Sequence, residues 1–286
     1  MATKTLSIKT CLLTGWNLLV QRPGLWMALT ALALVAASIS SVLLLMSLIF
    51  FVARIDQGNA AAMLRQKLAD SWSLDLPMDE LVAYAQELNP AWIAACFALG
   101  WAVSLALKIS WSSISIKAVQ HEPYSIRDFF SPLGKLRNFI TFALASILFS
   151  LVILVGSGLP ALLTVWLMFW LGEVSVLGAT FVFAVTSAIL IPMFSLWPYL
   201  AMQRQLGPWA ALASARCVSR GARVNLLLLI MILGLVEWAL GLIPLLGYLL
   251  AVLICTAWSN LALAEASRAL AAQTESHPPT PTHPGH

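Results

Sequence analysis

The chain has 286 residues, of which 60% are hydrophobic and only 10% charged, and its mean hydropathy is +0.89. Soluble domains use roughly 45–50% apolar and ~25% charged residues, so a water-soluble fold of this size is excluded. Apolar runs longer than the ~18 residues that mark a membrane helix also exclude a β-barrel, and they predict an all-α, multi-pass membrane protein. The net charge of +4 does not call for nucleic acid, because topology accounts for where the basic residues stand.

Residues 8–21 open the chain with an amphipathic pattern. Thr10, Thr14, Asn17 and Gln21 fall on one face and Ile8, Leu12, Trp16 and Leu19 opposite it, as a helix at ~100° per residue requires. Lys4 and Lys9 precede an apolar run in the manner of a signal peptide. The charge-free stretch from Pro23 to Ala53 is, however, about twice a signal core of ~7–15 residues and is expected to remain as an anchor. The first span is predicted near 24–53. Residues 54–90 carry Asp56, Asp70, Asp75, Asp79, Glu80 and Glu87 and are expected to form an outer cap of two short amphipathic helices. A calcium loop is disfavoured there, since the D-x-D-x-D-G spacing is missing.

Further spans are predicted near 91–116, 138–159, 176–201, 224–241 and 243–265. Ser125 and Asp128 form a capping box ahead of FFSPLGKLRN and the third span. The apolar ALLTVWLMFWL, 161–171, must extend that span or lie at the outer interface. Gly207-Pro208 opens another helix before the fifth span, with proline at a tolerated first-turn position. The grammar is an interfacial helix followed by a membrane hairpin, three times over. The membrane domain is predicted as 1–272 and the Pro/His-rich 273–286 as a disordered tail.

Twelve of the 16 Lys and Arg fall on one side of this arrangement, against Arg54, Arg65 and Lys67 on the other and Lys108 inside a span. The positive-inside rule makes the rich side cytoplasmic, with both termini there. Arg216, Arg220 and Arg223 lie within ~60° of one another if the segment is one helix, a repulsive arrangement at the i,i+4 spacing. Anionic headgroups at ~1 kcal/mol per basic residue outweigh that repulsion. These three are therefore the candidate headgroup-binding residues, beside the plainer reading that they enforce topology alone.

Lys108 and Glu237 are the charges set most clearly inside spans, and together they are the candidate intramembrane polar site. Lysine snorkelling toward the headgroups is the competing reading. Pro192 and Pro198 predict a kink in the fourth span, as in helices that line transport sites. Trp16, Trp26, Trp92, Trp111, Trp170, Trp209 and Trp258 stand near span ends and are expected to form an aromatic belt. Catalysis finds no foothold: His121, His277, His283 and His286 all lie outside the spans, and Gly156-Ser157-Gly158 has no base within the membrane. Cys11, Cys96, Cys217 and Cys255 are widely separated and expected to act as small hydrophobes. No cofactor or metal is expected.

The stretch PYLAMQRQLGPWAALASARCVSRGARVN, 198–225, resembles a signature of bacterial inner-membrane proteins of the YciC type, relatives of the membrane domain fused to some glycerophosphoryl diester phosphodiesterases. Pro198, Tyr199, Leu200, Gly207, Pro208, Ala211, Leu212 and Gly221 carry the likeness, and TGWNLLVQRPG, 14–24, is similar to the family's N-terminal helix. The chain departs from the pattern at Gln203-Arg204-Gln205, where relatives often have an acidic residue, and at Arg216, a position commonly aromatic. The resemblance implies no activity, only an association with envelope or lipid processes. The expected function is a non-enzymatic membrane component that meets phospholipids, a membrane-protein partner or a second copy of itself through its basic cytoplasmic face. The alternative is a transporter of a small solute or lipid, with Glu237 as its internal polar group.

Overall fold

A computed structural model describes residues 6–55, 90–170, 176–242 and 251–276. Over these residues the chain is almost wholly helical and contains no strand. The helices are α1 (Ile8–Gln21), α2 (Pro23–Ile55), α3 (Pro90–Val119), α4 (Ile126–Phe130), α5 (Leu136–Trp170), α6 (Val176–Phe194), α7 (Trp197–Arg204), α8 (Pro208–Val218), α9 (Arg223–Gly241) and α10 (Thr256–Ser276). Proline opens α2, α3 and α8, where its missing N–H leaves no bond unmade. Five helical stretches among the described residues are long and apolar enough to cross a membrane: Pro23–Ser47, Pro90–Val119, Leu136–Trp166, Gly178–Arg204 and Arg223–Gly241. This is the helix content of an all-α membrane protein.

The expected outer cap and the tail from 277 onward lie outside the described residues, as does the first part of the sixth predicted span. That span's second part is a short π-turn, Ala251–Cys255, leading into α10. Helix α10 runs on to Ser276, so the first residues assigned to the tail are helical. The 161–171 run continues α5 without a break to Trp170. Pro160 sits inside that helix, and the Thr164 hydroxyl donates to the Pro160 carbonyl at 2.8 Å. The second of the helices expected at the interface is shorter than its sequence suggests. It comprises the five residues of α4 and a 3-10 turn, Ser131–Gly134, with proline at its start.

The chain divides into two compact units, Leu32–Leu107 and the remainder, Met1–Ala31 with Lys108–His286. In the first, α2 and α3 meet at Gly100. A Cβ there would lie 3.0 Å from the Ser40 carbonyl oxygen, so a larger residue would require the helices to give by a few tenths of an ångström. The Ser40 hydroxyl donates to the Gly100 carbonyl at 2.6 Å and lies 2.6 Å from the Ser104 hydroxyl, a polar contact typical of helix pairs in lipid.

The second unit holds the main core. Helix α1 lies on α10 through Cys11, Gly15, Leu18 and Leu19. A Cβ on Gly15 would stand 3.0 Å from the Ala262 backbone nitrogen. The Trp258 indole donates to the Leu12 carbonyl at 2.9 Å, the Trp26 indole to the Leu18 carbonyl at 3.2 Å, and the Asn225 amide to the Leu6 carbonyl at 3.1 Å. Leu18 is in the last turn of α1, where carbonyls lack helical partners. Trp26 is fully buried, stacked on Trp111 with ring centroids 6.1 Å apart. Trp26 and Trp111 are thus core residues rather than belt residues, whereas Trp92 and Trp209 are exposed.

Candidate functional site

The fourth span breaks where its prolines stand. Pro192 lies in the last turn of α6, the chain turns at Ser195–Leu196, and Pro198 occupies the first turn of α7. Such a break frees carbonyls at the end of α6, and three of them find donors: the Ser195 N–H donates to Ile191 at 2.8 Å, the Ser195 hydroxyl to Pro192 at 3.4 Å, and the buried Ser219 hydroxyl to Met193 at 3.1 Å. The turn brings Trp197 inward against Phe142, centroids 5.0 Å apart. Tyr199, in the same short helix, donates to Asn260 at 3.0 Å.

Lys108 is the beneficiary of that turn. Its ammonium lies 4.6 Å from the Trp197 ring centroid and 5.8 Å from that of Phe149, a desolvated cation–π arrangement of the kind that contributes ~2 kcal/mol. Glu237 is an exposed residue of α9, and fourteen residues of helix set it about 21 Å beyond Arg223. Among the described residues no ion pair joins Lys108 to Glu237, and the two form no common site.

The three arginines do converge, by a route the helical wheel does not foresee. Helix α8 ends at Val218, so Arg216 belongs to its last turn, Arg220 to the following turn, and Arg223 to the first residue of α9. Gly221 makes the turn with φ 92°, a region closed to most side chains. All three arginines line one cavity of about 720 Å³, whose apolar wall is Val152, Phe194, Trp209 and Leu212. Ala211, Ala215 and Val218 of α8 are buried and do not line this cavity.

Arg216 and Arg220 are exposed, and Arg223 is partly buried. The Arg223 Nε is itself fully buried and has no hydrogen-bond partner among the described residues. An unmet buried donor costs ~1–3 kcal/mol, more when charged. Three other basic residues of this unit are paired with carboxylates: Lys117 with Asp128 at 2.5 Å, Arg204 with Glu275 at 2.5 Å, and Arg268 with Glu265 at 2.8 Å. None of those carboxylates lines the cavity, and among the described residues no ion pair involves Arg216, Arg220 or Arg223.

The cavity also marks a level on three helices. From Val152 to the end of α5 at Trp170, along α6 between Phe194 and Val176, and from Arg223 to the end of α9 at Gly241, the helical length is about 27 Å in each case. Phe149 and Trp197, which hold Lys108, stand three residues to the other side of Val152 and Phe194. A second cavity of about 350 Å³, flanked by Lys135, Arg137, Asn138, Thr141 and Gln205, lies at the start of α5. Nothing in the spacing of these residues singles them out in the sequence, because α5 and α7 supply them separately.

Two acidic groups outside the spans are perturbed. Hydrogen bonds from Lys117 and then from Ser125 hold the Asp128 carboxyl below its usual range. Ser125 donates to Asp128 through its backbone N–H at 2.8 Å and its hydroxyl at 2.9 Å, part of the capping box the sequence predicts. Burial, reinforced by the Glu265 charge, pushes the Cys11 thiol up to about 11. Compared with known proteins, the chain matches no protein family, no curated protein and no solved structure.

Proposed function

We propose that this chain is a multi-pass protein of the bacterial inner membrane, with six spans and both termini in the cytoplasm. In this reading it acts without catalysis, as a membrane component whose basic cytoplasmic face holds anionic phospholipid through Arg216, Arg220 and Arg223. The observation that carries the reading is the convergence on a cavity with an apolar wall of three arginines that pair with no carboxylate among the described residues. The ~27 Å that α5, α6 and α9 extend from that level matches a hydrocarbon core of ~30 Å, so the guanidinium groups fall at headgroup depth. Lys108 then lies on the aqueous side of the boundary under its aromatic rings, which removes the cost of an intramembrane charge.

The division of α1 into three faces fits a helix lying in the interface. One face packs on α10, a second exposes Leu13, Trp16 and Val20, and the third exposes Thr10, Asn17 and Gln21. Membership of the YciC type is part of the same proposal, supported by the motif at 198–225 and by the Gly221 turn that the motif includes. A transporter built on Glu237 has no observation in its favour, since Glu237 faces outward from α9.

Native mass spectrometry of the gently extracted protein tests the reading and would reveal companion subunits at the same time. Wild type is expected to carry bound anionic phospholipid. Replacing Arg216, Arg220 and Arg223 together by glutamine is expected to lower its retention by at least about tenfold, given ~1 kcal/mol per basic residue. Unchanged retention in the triple variant would remove the proposal.

A further inference from the structure

We infer that the cavity selects a phosphate monoester carried on acyl chains, a dianionic lipid headgroup such as that of phosphatidic acid, over the phosphodiester headgroups of the common anionic lipids. The inference rests on the lipid-binding reading above and adds the chemical class of the ligand.

Charge supports it first. Three guanidinium groups face one cavity, and no carboxylate among the described residues pairs with any of them. A diester brings one negative charge. A monoester brings about −1.5 to −2 near neutral pH and neutralises the cluster more completely. Geometry supports it as well. A terminal phosphate has three free oxygens, a diester two, and three arginines, carried by the end of α8, the turn at Gly221 and the start of α9, line the one cavity. Guanidinium forks bond phosphate oxygens in pairs.

Arg223 distinguishes this site from a diffuse basic surface. Its side chain is partly buried, and its Nε is fully buried with no hydrogen-bond partner among the described residues, an unmet donor that a diffuse, solvated basic surface would not hold. The apolar wall of Val152, Phe194 and Leu212, with Trp209 beside it, favours a ligand that brings hydrocarbon over a free phosphate.

The full chain, reconstituted in nanodiscs of phosphatidylcholine with equal small fractions of phosphatidic acid and phosphatidylglycerol, provides the test by native mass spectrometry. Wild type is expected to retain phosphatidic acid at least about fivefold over phosphatidylglycerol, which corresponds to roughly one additional charge contact. Arg223→Lys keeps the charge but removes the guanidinium fork, and it is expected to bring the ratio of phosphatidic acid to phosphatidylglycerol down to about one. The double variant Arg216→Gln, Arg220→Gln alters exposed side chains only and should reduce both lipids, whether or not Arg223→Lys folds.

Equal retention of the two lipids by wild type would overturn this inference and leave the general lipid reading standing. Retention of neither above phosphatidylcholine would overturn both. Displacement of phosphatidic acid by millimolar glycerol phosphate or inorganic phosphate would overturn the lipid as the source of the monoester.

Discussion

Two regions of the second unit use the same residue types in opposite ways. Around α1, α7, α8 and α10, large apolar side chains are packed against one another, and Trp26, Trp197, Leu200 and Leu226 are closed off from the surroundings. Beyond Val152 and Phe194, α5 and α6 turn theirs outward: Leu154, Leu162 and Leu163 are exposed, and Phe181 is 70% exposed. Apolar surface of that extent is not stable in water. The first region buries its apolar groups in protein and the second requires hydrocarbon to do so, and the arginine cavity lies where one changes to the other.

Substitutions can sharpen that contrast or break it. The largest effect belongs to Trp26→Ala, which removes a fully buried ring and its bond to the Leu18 carbonyl. A loss of ~3–5 kcal/mol is expected, read as a lower melting temperature in mild detergent. Phe181→Ala is the counterpart and should change the melting temperature little, since its ring meets no core. If the two variants fell by equal amounts, the contrast would not hold.

Gly15→Val is next. A branched side chain 3.0 Å from the Ala262 backbone forces α1 away from α10, at ~1–3 kcal/mol. Gly221→Ala places a Cβ at φ 92° for about 1–2 kcal/mol of strain and should also misalign Arg220, so lipid retention is expected to fall together with stability. Ser40→Ala, which removes the bonds to Gly100 and Ser104, is expected to weaken the α2–α3 contact by only ~0.6 kcal/mol.

The smallest effect is a pH dependence. Because the folded-state pKa of Asp128 is depressed, its contribution is present above the unfolded value near ~3.9 and is lost as pH falls through the folded value. Wild type should therefore lose stability in acid more steeply than Asp128→Asn, as melting temperatures between pH 6 and 3 would reveal.

Much of the helical plan is legible in the sequence because its signals are local. Apolar run length marks the spans, Pro23, Pro90 and Pro208 mark helix starts, and Ser125 with Asp128 marks a cap. Long-range pairings leave no such trace. Nothing near Gly15 announces that it lies on Ala262, and nothing near Lys108 announces Trp197. Tryptophans near span ends read alike whether they face lipid, as Trp92 does, or are enclosed, as Trp26 and Trp111 are, because the pattern gives hydrophobicity but not the neighbour. The arginine site was half legible. Composition picks out the three residues and the helical wheel brings them together, but a helix ending at Val218 and a left-handed glycine at 221 do so in fact, with walls from α5 and α6 that only the fold supplies.

The central claim is that the arginine cavity opens at the cytoplasmic boundary of the membrane, and the chain carries its own probe in Cys217, an exposed residue beside Arg216. Cys11 and Cys255 are buried, so a Cys96→Ser variant leaves Cys217 as the thiol accessible to a membrane-impermeant maleimide. Labelling of that variant in inverted membrane vesicles, with none in intact spheroplasts, is the result expected. Labelling in intact spheroplasts would put the cavity on the periplasmic side and contradict the assigned sidedness, and with it the headgroup depth of the three arginines.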